Sequence, residues 1–193
     1  MSKPRVIAIV GPTASGKTAL SIDLAIRFNG EVISADSRQV YRGMDLGTGK
    51  VTVEETAGIP HHLIDIANPQ TDTYTGADFE RDAAAAITDI TNRGKLPIIA
   101  GGTFFYLDLL RGLHTAAPVP PNEPLRAELE TQSTEELSDV LTTVDPRRAA
   151  TIDHANRRRL IRALEVVDAL GYVPETSTSD SPYDMLVLGI DVP

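Results

Sequence analysis

Short apolar runs alternate with longer segments whose apolar positions recur every three or four residues, the pattern of βαβ units on a parallel sheet. Residues 6–10 (Val6, Ile7, Ala8, Ile9, Val10) predict a first strand. Leu20, Leu24 and Phe28 then share one face of a helix that Asn29-Gly30 should stop. Residues 31–34 predict a second strand ending at Ala35-Asp36-Ser37, and 62–66 a third, short one. Thr75 with Asp78 three positions on opens an alanine-rich helix through Ile87 and Ile90 to Gly94. A strand over 96–100 follows, with Pro97 tolerable near its start, and it runs through Gly101-Gly102-Thr103 into a helix over about 104–111.

The pattern changes at 116–121, where three prolines and two alanines make a stiff connection. Short helices should follow, over 125–130, from the Ser133/Glu136 cap, and from Asp145-Pro146. Asn156 caps a longer helix with Leu160, Leu164 and Val167 on one face and Gly171 at its stop. After a Ser/Thr-rich loop over 176–181, residues 185–190 predict a strand returning to the sheet. The expected organisation is an α/β core over 1–118, a helical insertion over 119–153 and a return to the core over 154–193. Loops after Val10, Ser34 and Ala100 would meet at one crevice, where open α/β sheets bind ligands.

Composition narrows the setting. No cysteine is present, which excludes disulfides and thiolate metal sites. The apolar run after Lys3 and Arg5 is cut short at Gly11-Pro12, too early for an export signal, and no stretch could span a membrane. A cytoplasmic monomer is expected. A net charge of −9 argues against indiscriminate nucleic-acid binding. Yet Arg147, Arg148, Arg157, Arg158, Arg159 and Arg162 face only Asp153, so basic charge is concentrated locally.

Gly11-Pro12-Thr13-Ala14-Ser15-Gly16-Lys17-Thr18, between strand and helix, reads as a phosphate-binding loop. Its glycines let N–H groups point at an anion, Lys17 adds a charge, and Thr18 can hold Mg²⁺. Asp36, at a strand end across from that loop, can accept a proton or simply cap a turn. Thr103 can donate to a departing diphosphate oxygen or cap a helix. Arg158 and Arg162 lie one turn apart and suit phosphate recognition, or form a solvated face with Arg162 beside Glu165. His61 and His62 point to opposite faces and make a poor metal site. Asp65 is a weak Walker-B-like candidate.

Taken together, several motifs resemble the tRNA dimethylallyltransferase (IPP transferase) family over almost the whole chain. They are the loop from Gly11 to Thr18; Ile33-Ser34-Ala35-Asp36-Ser37-Arg38-Gln39-Val40-Tyr41; Met44-Asp45-Leu46-Gly47-Thr48-Gly49-Lys50; Tyr74 with Ala77-Asp78-Phe79; Gly101-Gly102-Thr103 to Tyr106; and Arg158-Arg159-Leu160-Ile161-Arg162-Ala163-Leu164-Glu165. The resemblance implies transfer of a dimethylallyl group from dimethylallyl diphosphate to N6 of adenine 37, next to the anticodon in tRNA. Gly11, Pro12, Thr13, Ala14, Ser15, Gly16, Lys17 and Thr18 would then bind diphosphate, with Mg²⁺ on Thr18. Asp36 would take the N6 proton and Thr103 would assist the leaving group. Asp36, Ser37, Arg38, Gln39, Thr103, Arg126, Arg158, Arg159, Leu160, Ile161 and Arg162 would contact tRNA. The resemblance also implies further helices and tRNA contacts beyond 193.

The expected fold is therefore α/β, a P-loop NTPase-like parallel sheet flanked by helices with a small helical insertion. Three other functions share parts of this pattern. An adenylate isopentenyltransferase would use free AMP, ADP or ATP as acceptor, and the insertion and arginines favour RNA instead. A small-molecule kinase would use the same loop for ATP, but the strand before Gly101 ends in Ala100 rather than a Walker-B carboxylate. A non-catalytic nucleotide- or RNA-binding fragment would keep the loops without turnover.

Overall fold

Strands β1 (Arg5–Val10), β2 (Gly30–Ser34), β3 (His61–His62), β4 (Leu96–Ala100) and β5 (Asp184–Gly189) pair in parallel in the order β3-β2-β4-β1-β5. The structure is a computed structural model and describes residues 2–115, 117, 119–175 and 178–191. It divides into two units, Met1–Ala116 with Ser177–Pro193, and Ala117–Thr176.

In the first unit, successive strand residues alternate between two buried faces. Val6, Ala8, Ile33 and Ile99 pack against α2 (Gly76–Asn92) and α3 (Phe104–Leu110), where Phe79, Ile87 and Ile90 are fully buried. Ile9, Val32 and Ile98 face the other way, onto Leu20, Leu24 and Ala25 of α1 (Lys17–Phe28). Each large side chain so buried contributes roughly 1.5–3 kcal/mol of transfer free energy. The Thr75/Asp78 capping box forms as expected and fixes the start of α2.

The Asn29-Gly30 stop forms as expected: Asn29 takes the left-handed turn that ends α1, and Gly30 begins β2, where an added Cβ would lie 2.7 Å from the Leu96 carbonyl oxygen. One local expectation is corrected. The expected strand over 62–66 shrinks to His61–His62, because Leu63 and Asp65 adopt positive φ and cannot continue a ladder. Near the start of β2, Glu31 is buried. It accepts from Lys95 Nζ and His62 Nε2, each at 2.7 Å, and from both terminal nitrogens of Arg93. The Arg93 guanidinium above all, with Lys95 and His62, outweighs burial and holds its carboxyl far below the usual range.

The second unit has its own core. Leu129, Leu137, Leu141, Ala149, Leu160, Ile161 and Leu164 join α4 (Glu123–Leu129), α5 (Thr134–Val144), α6 (Pro146–Ala149) and α7 (Arg157–Leu170). The expected insertion over 119–153 is thus too short. The helix expected to rejoin the sheet, α7, packs on α4 and α5 through its Leu160/Leu164 stripe, and the boundary falls at 176/177. Asn122, Ser133, Asp145 and Asn156 cap the four helices with their side chains. Residues 116 and 118 of the proline-containing connection, 176 and 177 of the Ser/Thr-rich loop, and 192 and 193 lie outside the described residues.

Candidate active site

The strand order places the loops after β1, β2 and β4 side by side at the C-terminal edge of the sheet, and backbone hydrogen bonds stitch them together. Gly101 N–H donates to the Ile9 carbonyl, Ala35 N–H to Ala100 and Thr103 N–H to Ala35. A Cβ on Gly101 would overlap the Ala35 backbone, so this glycine is required by the close passage of two chains. Gly102 faces open space.

The loop after β1 turns through Gly11, Ala14 at φ 62° and Gly16 at φ 87° into α1. No side chain caps α1, so N–H groups of its first turn lack an intrahelical acceptor and present positive potential at the strand edge. Lys17 Nζ curls over the loop and donates to the carbonyls of Gly11, at 3.0 Å, and Pro12. Ser15 Oγ is buried without a hydrogen-bond partner, and Thr18 is exposed on the first turn. Such a cradle binds an anion through backbone, a hydroxyl and one ammonium.

Asp36 and Thr103 lie across the adjoining loops. Asp36 Oδ1 accepts from Arg38 N–H at 2.8 Å and Gln39 N–H at 3.3 Å, so the turn-capping role is real. Neither contact uses its second carboxylate oxygen. Thr103 does not cap α3 with its side chain. Its Oγ1 accepts from Ser37 N–H at 3.1 Å, which ties the two candidate catalytic side chains into one turn. Tyr106, one helical turn beyond, stacks on Phe79 at 4.0 Å between ring centroids. Burial pushes its hydroxyl up to about 12, with the charges of Tyr41 and Asp36 adding to the effect. Its nearness to Asp36 was not evident from spacing, because the sheet edge brings the two together.

Other expected contacts fall differently. Ser37 and Arg38 are exposed beside Asp36. Gln39 turns inward: it accepts from Ser34 Oγ at 2.9 Å and donates to the carbonyls of Thr48 and Gly49, both at 3.1 Å. Its side chain braces a loop rather than facing solvent. Asp65, the weak Walker-B candidate, is paired with Lys50 at 2.6 Å.

In the helical unit the arginines divide. Arg158 and Arg159 are exposed on the first turn of α7. Leu160 and Ile161, expected to contact tRNA, are core residues, 0% and 8% exposed; the α7 stripe that packs the unit claims their side chains. Arg126 grips Glu165 with two hydrogen bonds, at 2.8 and 3.0 Å. Arg162 reaches the same carboxylate at 3.5 Å and donates to the Val119 carbonyl at 2.7 Å. Glu165 is buried, so the expected surface pair is a buried anchor for two half-exposed guanidiniums. Burial pushes its carboxyl up, but hydrogen bonds from Arg126 and Asn122 N–H and the charges of Arg126 and Arg162 more than offset this, leaving it below its ordinary value.

The fold and the loop after β1 define a P-loop-like α/β protein, with a carboxylate and a hydroxyl on the adjoining loops after β2 and β4. Comparison with known proteins places it more closely. The family model described as IPP transferase matches residues 39–193. Proteins named tRNA dimethylallyltransferase from Trichlorobacter lovleyi and Thermomicrobium roseum are 49% and 50% identical, aligning with 99% and 97% of this chain. The chain spans 65% and 59% of the lengths of those relatives. The full-length tRNA isopentenylpyrophosphate transferase from Bacillus halodurans matches with a TM-score of 0.62 at 44% identity, over 97% of this chain and 60% of that one. A eukaryotic dimethylallyltransferase acting on tRNA matches with a TM-score of 0.77 at 33% identity, over 98% of this chain and 48% of that one. The chain belongs to the IPP transferase family.

Proposed function

We propose that this chain transfers the dimethylallyl group of dimethylallyl diphosphate to the N6 amine of adenine 37 in tRNA, releasing diphosphate. The observation that carries the reading is the tie between Thr103 Oγ1 and Ser37 N–H. It sets a hydroxyl and the Asp36 carboxylate together beside an uncapped phosphate cradle. The names of the similar proteins support the same donor and acceptor.

In this reading the loop N–H groups, Lys17 and Ser15 Oγ hold the diphosphate. Bound anion replaces the carbonyls that Lys17 now contacts, and gives the buried Ser15 hydroxyl an acceptor. As N6 forms its bond to the prenyl carbon, the bond from that carbon to the bridging diphosphate oxygen breaks. Thr103 donates a hydrogen bond to that oxygen as its charge grows. The uncommitted oxygen of Asp36 receives the N6 proton, while the turn held by its other oxygen keeps it in place. Ser37 and Arg38 border the acceptor, and Arg126, Arg158, Arg159 and Arg162 bind RNA phosphates.

Mg²⁺ fits this donor set. Among the described residues no cluster of three or more acidic or histidine side chains could hold a metal. Thr18 supplies one hard oxygen, which suits an ion bound mainly through diphosphate and water. When bound, Mg²⁺ neutralises diphosphate charge.

The test offers dimethylallyl diphosphate and Mg²⁺ with unmodified tRNA, with AMP, or with ATP and a hydroxyl acceptor. A prenyl mass increase on tRNA adenine is expected; an increase on AMP alone reassigns the acceptor, and no product with any acceptor rejects the reading. Asp36→Asn should lower transfer about 10²-fold or more while leaving donor affinity within about twofold. A parallel loss of donor affinity would remove Asp36 from the role of base.

A further inference from the structure

The motif Met44-Asp45-Leu46-Gly47-Thr48-Gly49-Lys50 has no role in the chemistry above, yet it forms a heavily braced loop of the sheet unit. Lys50 Nζ donates to Asp45 at 2.7 Å, Asp65 at 2.6 Å and the Tyr41 carbonyl at 2.9 Å, with its side chain only 6% exposed. Thr48 Oγ1 donates to the Met44 carbonyl at 2.7 Å, and Gln39 holds the carbonyls of Thr48 and Gly49. Gly43, Gly47 and Gly49 supply the positive φ that such a tight path needs. At its tip the loop presents Leu46, 98% exposed.

A lone exposed leucine is ordinary on a mobile surface. This one sits on a scaffold that has desolvated an ammonium to hold its shape. Gln39 joins the scaffold to the site: its side chain braces the loop, and its N–H donates to Asp36 Oδ1. The backbone that carries Leu46 is therefore braced by the same residue that holds the Asp36 turn.

A nucleobase inside an RNA stack cannot bring its exocyclic amine to Asp36 until it is extruded, and extrusion leaves a gap between its neighbours. Rigidly held Leu, Ile or Phe side chains fill such gaps by wedging between bases. We infer that Leu46 is this wedge, taking the place in the RNA stack vacated by the target adenine. The inference rests on the RNA-acceptor reading and adds a residue to it. It commits the loop to an RNA base step rather than to the prenyl chain or to a protein partner.

The experiment uses this chain and an anticodon stem-loop carrying 2-aminopurine at the target position, whose fluorescence rises on unstacking. Wild type should raise the fluorescence; Leu46→Ser should abolish most of the rise and lower kcat/KM for transfer to the unsubstituted hairpin about tenfold or more. Leu46→Phe should retain both. Val53→Ala, at another exposed apolar position in the segment, should change neither. Dimethylallyl diphosphate affinity and the thermal midpoint should be the same in all four proteins. A full fluorescence rise with Leu46→Ser overturns the wedge while wild-type transfer to RNA keeps the function. Absence of wild-type transfer to any RNA overturns the function and the wedge with it.

Discussion

In the α/β unit the proposed anion site is built almost entirely from backbone, whereas in the helical unit cationic side chains carry the charge and several are bonded to the protein already. The cradle depends on Gly11, Gly16 and an uncapped helix start, with Lys17 as its one cation. The arginine patch of α4 and α7 depends on long side chains, two of which, Arg126 and Arg162, are fixed by a buried carboxylate. Backbone sites are specified by where glycine must stand. Side-chain sites are specified by which face of a helix is outward and by what each head group finds there.

The contrast sets the scale of the expected damage. Gly101→Ala should be the most severe change, because the new Cβ overlaps the Ala35 backbone and neither strand end can yield without breaking the stitched loops. A loss of about 4 kcal/mol or more is expected, a large part of the stability of an ordinary domain. Gly102→Ala, one residue on and facing open space, should cost less than about 1 kcal/mol. Urea midpoints of the two variants measure the difference; equal midpoints would show that the loops at this edge can separate.

This asymmetry explains what was legible in the sequence. The first strand, the glycine-rich turn from it into α1 and the Thr75 and Ser133 capping boxes rest on local rules, and each forms where its spacing predicts. The division of the chain was less legible, because the Leu160/Leu164 stripe says only that α7 packs on something. Its partner, the α4/α5 pair, is a tertiary fact. For the same reason Leu160 and Ile161 read as part of a basic motif although they are its buried side. Gln39 entered as an RNA contact only through the family resemblance, which says nothing of where its amide points. Only the folded 44–50 loop reveals what its amide holds.

Glu165 tests the helical side of the comparison. Glu165→Ala should cost about 2–3 kcal/mol, below the usual loss for a broken buried pair because Arg126 and Arg162 are partly solvated and can turn outward. The same carboxylate, with Glu31 in the other unit, gives a pH signature. Both have folded values below the ordinary 4.5, so their contribution is complete above about pH 4.5 and is lost as pH falls further toward the folded values. Wild type should lose urea stability between pH 5 and pH 3, and Glu165→Ala should lose less over the same interval. A variant with the wild-type slope would remove Glu165 from that role.

The smallest effect on stability should come from the two α7 arginines that point outward. Arg158→Ala and Arg159→Ala each remove an exposed guanidinium from the first turn of a helix, where a cation opposes the helix dipole. Stability should change by no more than about 0.5 kcal/mol, with a slight gain in each case. Binding of an anticodon stem-loop should behave differently. If each arginine meets one phosphate, each variant lowers the slope of log K against log salt by about 0.7–0.9 and weakens all RNA sequences alike. A salt titration of wild type, the two single variants and the double variant measures this. Additive losses of slope with unchanged urea midpoints would identify an interface of independent surface cations. An unchanged slope in the double variant would place RNA recognition on the Glu165-anchored pair, Arg126 and Arg162, and make both units depend on preorganised charge.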